Sequence, residues 1–321
     1  MQRFRSILAV LTEDSLHEVA LARAVHLAKL NGAALTLVDV IDAAPGELGR
    51  LLSALQGRRG TEIEEDVIAY HRDRLTRLAD TARAEGVEVT EAVLQGSAFV
   101  EVIRMVLREG HDIVIKGATA AAHGKGVLKG PDMHLLRKCP CPVWMLKGPG
   151  DGVFDTILAT VDPEPHGDEA RDKLDRLVLD LATSLAERDN ATCHVAHAWR
   201  LQEEYALRHG RYTSKYQGEV DRMVEREKEA AKTRLNALLA NYPQVKRVHV
   251  HMLKGLPGDA IAEFAETHKP DLIVMGTVGR TGISGFIMGN TAETILHRVD
   301  CAVIAVKPEG FVSPVTLEAT S

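Results

Sequence analysis

Three glycines, Gly276, Gly279 and Gly289, lie in one short stretch directly behind the apolar run Asp271-Leu-Ile-Val-Met275. Helical periodicity begins behind them, through Ala292, Ile295 and Leu296. A strand, a glycine-rich loop and a helix start, in that order, can hold phosphate. Glycine lets the backbone approach a ligand and adopts positive φ without steric cost. A helix starting near Asn290 presents unbonded N–H groups and the positive end of its dipole to an anion. Arg280 can add a charged contact, and Asn290 with Glu293 three residues later fits a capping box. The loop is not a Walker loop, because no Gly-Lys-Ser/Thr follows. It is not the dinucleotide fingerprint, which belongs after a first strand. On composition alone, the same glycines serve equally to turn the chain and pack the helix closely on a sheet.

The elements that must position this loop occur twice. Ile7–Thr12 resembles Ile157–Asp162, Asp112–Gly117 resembles Asp271–Gly276, and Cys141–Lys147 resembles Cys301–Lys307. The matches keep their order, and a period this long means duplicated domains rather than a solenoid. The seam is the linker-like Lys147-Gly-Pro-Gly-Asp-Gly152, which predicts domains at 1–149 and 150–321. Short apolar runs predict strands near 5–11, 34–41, 87–94, 112–116 and 143–146, then near 155–161, 192–199, 246–253, 271–275 and 302–306. Helical spacing falls at 15–30, 61–85 and 99–109, then at 168–188, 217–240, 258–267 and 291–298. Alternating strands and helices predict an α/β fold of two doubly wound, mostly parallel five-stranded sheets, covered on both faces. Ligands of such sheets sit beyond the carboxyl ends of the strands, where the strand order reverses.

At these residues the chain resembles the universal stress protein family, whose ATP loop reads Gly-x2-Gly-x9-Gly-Ser/Thr. Gly276, Gly279 and Gly289 match that spacing, and Asn290 stands at the Ser/Thr position with Thr291 one residue later. The resemblance extends to both halves and implies the tandem form of the family, with its adenine nucleotide α-hydrolase-like, Rossmann-like fold. It also implies ATP as the ligand of the second half, with or without Mg2+. In that reading Asp162, behind Val161 at the end of the first strand, meets ribose or phosphates. Ala198 and Met275 line the adenine pocket, and Gly255-Leu-Pro257 is the turn before the third helix.

The first half departs from the pattern. Gly117 and Gly130 keep the spacing of Gly276 and Gly289, but Ala120 replaces the middle glycine and Thr12 replaces the Asp. Pro131 has no N–H to offer a phosphate, and Asp132 puts negative charge where one would lie. The expectation is a degenerate site. His123, Lys125 and Lys129 keep some positive charge there, consistent with a solvated surface or a different anionic ligand.

Composition excludes several classes. The 321 residues carry a net charge of −6, against the basic face of a general nucleic-acid binder. No apolar run reaches the ~18 residues of a membrane span, and no signal peptide is visible, so the expected location is the cytoplasm. Of the four cysteines, Cys139 and Cys141 lack zinc-ribbon spacing, and three of the four lie in apolar, strand-like runs as small core residues. His194 and His197 should lie on opposite faces of one strand. His249 and His251 share a face, but with no Cys or carboxylate cluster nearby in sequence no metal site is expected. The alternating charges of Asp221–Lys232 read as a solvated helix face. Ser15 and Ser184 lack a nucleophile elbow. The polar stretch 200–216, with Tyr205, Tyr212 and Tyr216, reads as a long loop.

The leading expectation is therefore a nucleotide-responsive stress protein with unidentified protein partners and no catalytic residues. The alternative is a non-nucleotide module, a scaffold or a binder of lipid or another small ligand. Strands 143–146 and 302–306 should pair within the chain as a pseudo-dimer. A homodimer of whole chains is compatible with the preference for two-fold pairing.

Overall fold

A computed structural model describes residues 4–13, 16–42, 60–119, 128, 130–148, 153–163, 169–210, 216–242, 247–278 and 288–317. The first half runs β1 (Ser6–Val10), α1 (His17–Asn31), β2 (Ala34–Ile41), α2 (Gly60–Ala84), β3 (Val89–Gln95), α3 (Ala98–Glu109), β4 (Ile113–Gly117), α4 (Pro131–Lys138) and β5 (Val143–Leu146). The second runs β6 (Thr156–Thr160), α5 (Glu169–Asp189), β7 (Thr192–Trp199), α6 (Glu204–His209), α7 (Gln217–Leu239), β8 (Val248–Lys254), α8 (Pro257–His268), β9 (Leu272–Gly276), α9 (Asn290–Arg298) and β10 (Ala302–Val306).

The strands form one ten-stranded sheet in the order β3-β2-β1-β4-β5-β10-β9-β6-β7-β8. Every neighbouring pair is parallel except the central one, β5 with β10, where Met145 faces Val303 and Val143 faces Ala305. The two halves thus join edge to edge as the expected pseudo-dimer. Because that junction is antiparallel, the carboxyl ends of the two sets of strands point to opposite edges of the sheet. Strand order reverses between β1 and β4 in one half and between β6 and β9 in the other.

Strand residues alternate between two apolar layers, as a pleat with period two requires. Ile7, Ala9, Ile113, Ile157, Val274 and Ile304 pack with α1, α2, α5 and α7 on one face. Leu8, Val10, Val114, Leu158, Ile273 and Val303 pack with α3, α4, α8 and α9 on the other. Both layers cross the β5·β10 junction, so the halves share their cores. Burying one such Leu, Ile or Val contributes ~1.5–3 kcal/mol. Gly32 ends α1 in the left-handed conformation at φ 60, and its N–H reaches the Ala28 carbonyl.

Polar groups bind the halves as well. Lys147, just past β5, donates to the Leu296 and Val299 carbonyls at the end of α9, at 3.0 and 2.7 Å. Lys307, just past β10, donates to the Leu136 carbonyl of α4 at 2.6 Å and to Thr277 Oγ1. Each half thus supplies an ammonium to the C-terminus of a helix in the other, where the dipole favours a cation. Burial lowers both lysine pKa values to about 8. Arg23 of α1, 1% exposed, pairs with Asp189 of α5 at 3.4 Å and lies over the Phe154 ring at 4.3 Å.

Two expectations for the elements need correction. The stretch 200–216 contains a short helix, α6, held by Glu204 ion pairs to Arg208 and Lys254, each at 2.9 Å; Tyr212 lies outside the described residues. In addition, α4 forms where no helix is expected, because Pro131 sits at its first turn and Met133, Leu135 and Leu136 give it a buried face.

Candidate functional site

The reversal point between β6 and β9 opens into a cavity of about 370 Å³. Thr160, Val161 and Asp162 at the end of β6 and Met275 and Gly276 at the end of β9 form its base, with Ala198 from β7. Pro257 and Ile261 of α8 form one wall; Arg171, Leu174 and Asp175 of α5 form another. Gly289, Asn290, Thr291 and Ala292 bring the start of α9 to its rim.

Local contacts explain how the chain holds this shape. The Thr277 N–H bonds the Val306 carbonyl at 3.1 Å, and the Gly289 N–H bonds the Thr277 carbonyl at 3.0 Å. An antiparallel bridge joins Val278 to Met288. These contacts bring Thr277–Val278 beside Met288–Gly289 and fix where α9 begins. A Cβ on Gly276 would stand 2.8 Å from Leu174 Cδ2, so glycine there lets α5 approach the end of β9. Opposite, the Glu293 N–H bonds the Gly289 carbonyl, and no side chain caps α9. An α-helix leaves its first N–H groups without intrahelical partners, and those of α9 belong to residues on the cavity rim.

Eight of the sequence-derived site residues therefore share one cavity: Val161, Asp162, Ala198, Met275, Gly276, Gly289, Asn290 and Thr291. Gly279 and Arg280 lie outside the described residues. The capping box does not form. Gly289 is the N-cap, and the Glu293 carboxylate instead pairs with Arg137 from the other half.

Sequence reasoning missed the α5 wall. Asp175 is 7% exposed, and its Oδ1 accepts the Asp162 N–H at 3.0 Å. Burial pushes its carboxyl up to about 7; Asp162 and Asp172 also raise it, while that backbone hydrogen bond and Arg171 pull the other way. The signal was an acidic residue in the inward stripe of a helix, spaced i+3, i+4 and i+7 to the buried Val178, Leu179 and Ala182. Behind the cavity, buried His197 places Nδ1 3.2 Å from the Val161 carbonyl and 3.9 Å from Asp162 Oδ1.

The corresponding place in the first half is filled from within. Lys116, at the position of Met275, lies 2.8 Å from Asp132 Oδ1, at the position of Thr291. The contact is ionic rather than a well-angled hydrogen bond. The Lys116 ammonium also donates to the Gly117 carbonyl at 2.9 Å and to Thr119 Oγ1 at 3.1 Å, and Asp132 Oδ2 accepts the Thr119 N–H at 2.8 Å. The Leu16 backbone packs so closely that a Cβ on Gly117 would meet its nitrogen at 2.6 Å. Entry to the helix differs too: Gly130 turns at φ 53, whereas Gly289 is extended at φ −65. The Asp132 carboxylate thus stands at the position of Thr291, and its counter-ion is a lysine of the same half. His123, Lys125 and Lys129 lie outside the described residues.

The histidines of β7 and β8 form a separate cluster. His194 Nδ1 lies 2.8 Å from His251 Nε2, with the rings stacked at 4.9 Å, and His249 and His268 adjoin them. Burial, then the neighbouring rings, lower the pKa of both His194 and His251. Among the described residues no group of three or more His, Cys, Asp or Glu is arranged to hold a metal. Nor is any described helix long and apolar enough to cross a membrane.

Comparison with known proteins agrees with this architecture. The model of the universal stress protein family matches the chain twice, at residues 3–147 and 154–307. The chain belongs to the universal stress protein family. This universal stress protein is 27% identical over 325 residues to universal stress protein E of Escherichia coli strain K12, covering 99% of this chain and 98% of that one. A crystal structure of a functionally unknown protein from Pseudomonas aeruginosa PAO1 is 25% identical, with a TM-score of 0.70 over 97% of this chain and 95% of that one. A universal stress protein from Archaeoglobus fulgidus DSM 4304, 18% identical with a TM-score of 0.61, shares the fold over 94% of this chain. Near-complete coverage of both partners means that these relatives share the two-repeat plan.

Proposed function

We propose that this universal stress protein binds ATP in the second-half cavity, and that the bound state alters its contacts with protein partners in the stress response. One observation carries the reading: the extended Gly289 brings the uncapped N-terminus of α9 to the rim of a cavity at the strand-order reversal. Backbone N–H groups at a helix start bind phosphate without a dedicated cation. The cavity also falls in the ~300–1,000 Å³ range of small-molecule sites. Ala198, Val161, Ile261 and Met275 offer an apolar bed for a base. Asp162, half-exposed at the rim, suits a ribose hydroxyl. The residues present fit a binding role rather than a catalytic one. The internal Lys116–Asp132 pair favours a single site per chain.

A second reading, an apolar or acyl ligand in place of nucleotide, is favoured by the apolar lining and by the two carboxylates that face the same space. The nucleotide content of freshly purified protein separates the two. Denatured protein is analysed by anion exchange with mass detection, followed by ATP titration of the intact chain and of Gly289→Asp. About one ATP or ADP per chain, lost in the variant, is expected. Two per chain would refute the plugged first half. None, with no binding on titration, would leave the second reading.

A further inference from the structure

The α5 wall of the cavity poses an electrostatic problem. Asp175 is almost wholly buried and lines the cavity between Arg171 and Asp162. Its Oδ1 is fixed by the Asp162 N–H, so the carboxyl cannot swing out to water without breaking that bond. A phosphate entering the cavity meets two carboxyl groups. A like charge in a poorly solvated space disfavours the ionised form of whichever group can shed its charge.

The charged groups acting on Asp175 come from two elements. Asp162 belongs to the turn after β6, and His197 of β7 approaches that Asp162 at 3.9 Å; Arg171 and Asp172 lie on α5 itself. Among the described residues, those of β9 and α9 that line the cavity, Met275, Gly276, Asn290 and Thr291, have no titratable side chain. Arg171 therefore stands alone among these lining residues as a cation acting on Asp175, against two carboxylates. The carboxyl already holds its proton up to about neutral pH.

We propose that Asp175 is a specificity-determining residue that takes up a proton as an anionic ligand enters, so that the cavity holds a phosphate only beside a neutral carboxyl. This rests on the nucleotide reading of the same cavity. In the bound state Oδ1 keeps the Asp162 N–H and the protonated Oδ2 becomes a donor facing the ligand. Asp175 thus changes from repelling an anion to hydrogen-bonding one, and nucleotide occupancy rises as the surroundings acidify. An uncharged ligand needs no such proton, so above neutral pH the residue disfavours anions relative to uncharged ligands, and this bias disappears as the carboxyl is protonated.

The test is calorimetric titration of the full chain with ATP from pH 6 to 8.5, in two buffers of different ionisation enthalpy, with and without Mg2+. Affinity should fall by up to about tenfold per pH unit above 7. At pH 8, where the ATP phosphates are already deprotonated, about one proton should be taken up per ATP bound. Asp175→Asn keeps an acceptor for the Asp162 N–H. It should bind ATP with little pH dependence and, at pH 8, about tenfold more tightly than the wild type. The proposal is overturned if wild-type binding takes up no proton at pH 8, a result that needs no variant. It is overturned equally if Asp175→Asn keeps the wild-type slope, or if affinity with Mg2+ rises with pH, as it would were the carboxylates metal ligands. In each of these cases the nucleotide site itself stands. Absence of ATP binding by both proteins at every pH would instead remove the nucleotide reading, and this inference with it.

Discussion

Lys116→Met tests whether the first-half site is closed by its own ion pair. The side chains of Lys116 and Asp132 are 5% and 1% exposed. The substitution leaves Asp132 buried with one N–H donor, that of Thr119, and no counter-charge. Removing one member of a buried pair costs about 3–5 kcal/mol, because the remaining charge is uncompensated. The lost bonds to the Gly117 carbonyl and Thr119 Oγ1 are part of that cost, at roughly 1 kcal/mol each. Lys116→Met/Asp132→Thr installs the residues found at the matching positions of the second half and leaves no buried charge. It should lie within about 2 kcal/mol of the wild type, giving a favourable coupling of at least about 2 kcal/mol in the double-mutant cycle. Urea unfolding of the four proteins, compared at equal slope, measures this. A cost below about 1 kcal/mol for Lys116→Met, or strict additivity in the double variant, would refute the plug. The double variant should still not bind ATP in the first half, since Pro131 and the left-handed turn at Gly130 remain.

Further expectations concern the seam, the glycines and the cavity. Lys147 and Lys307 hold pKa values near 8 in the fold and about 10.4 when unfolded, so above pH 8 these two groups bind more protons in the unfolded chain and contribute stability as pH rises. The gain from pH 8 to 9 is about 1 kcal/mol per lysine. Over the same window the Cys193 and Cys301 thiols, pushed up to about 12 in the fold, oppose it by roughly 0.7 kcal/mol each, because they keep protons that the unfolded chain loses near pH 8.5, and burial raises the Cys141 thiol in the same direction. Relative to the wild type, Lys307→Met should lose about 1 kcal/mol of the change in stability between pH 8 and 9, measured by urea unfolding at the two pH values. Gly117→Ala should destabilise more than Gly276→Ala, since the first meets the Leu16 backbone and the second only the far end of Leu174; thermal melts rank them. Arg23→Met should cost about 3 kcal/mol in chemical unfolding, as it leaves Asp189 without its buried partner. Asp175→Asn should stabilise the chain at pH 8, by at most about 4 kcal/mol, and hardly at pH 4. The sign follows because a raised carboxyl pKa costs stability as pH climbs from the unfolded value through the folded one.

Much of the fold is legible in the sequence because buried parallel strands must be continuous apolar runs. Ile113–Ile115 and Leu272–Met275 have no other plausible place, and the repeat of Cys141–Lys147 at Cys301–Lys307 marks the two strands that meet. The rim of the cavity is legible because glycine spacing reports backbone geometry directly. What escapes depends on partners distant in sequence. Lys116 looks like the polar end of a strand until Asp132 is brought to it, and Glu293 looks like half of a capping box until Arg137 arrives from the other half. The turn at Lys269 adopts positive φ without glycine or asparagine, so it carries no compositional mark. Asp175 escapes because a single acid in an amphipathic helix is ordinarily a solvent-facing residue.

The antiparallel junction of β5 with β10 has a consequence for how such a chain can change. In a symmetric dimer of single domains, one codon writes both sites, so any substitution that closes one closes the other. With the two domains in one polypeptide, the same interface persists while each copy has its own codons. A lysine and an aspartate can then close one site and leave its twin open. The half that holds the Lys116–Asp132 pair still supplies one side of the shared sheet and core against which the other half packs.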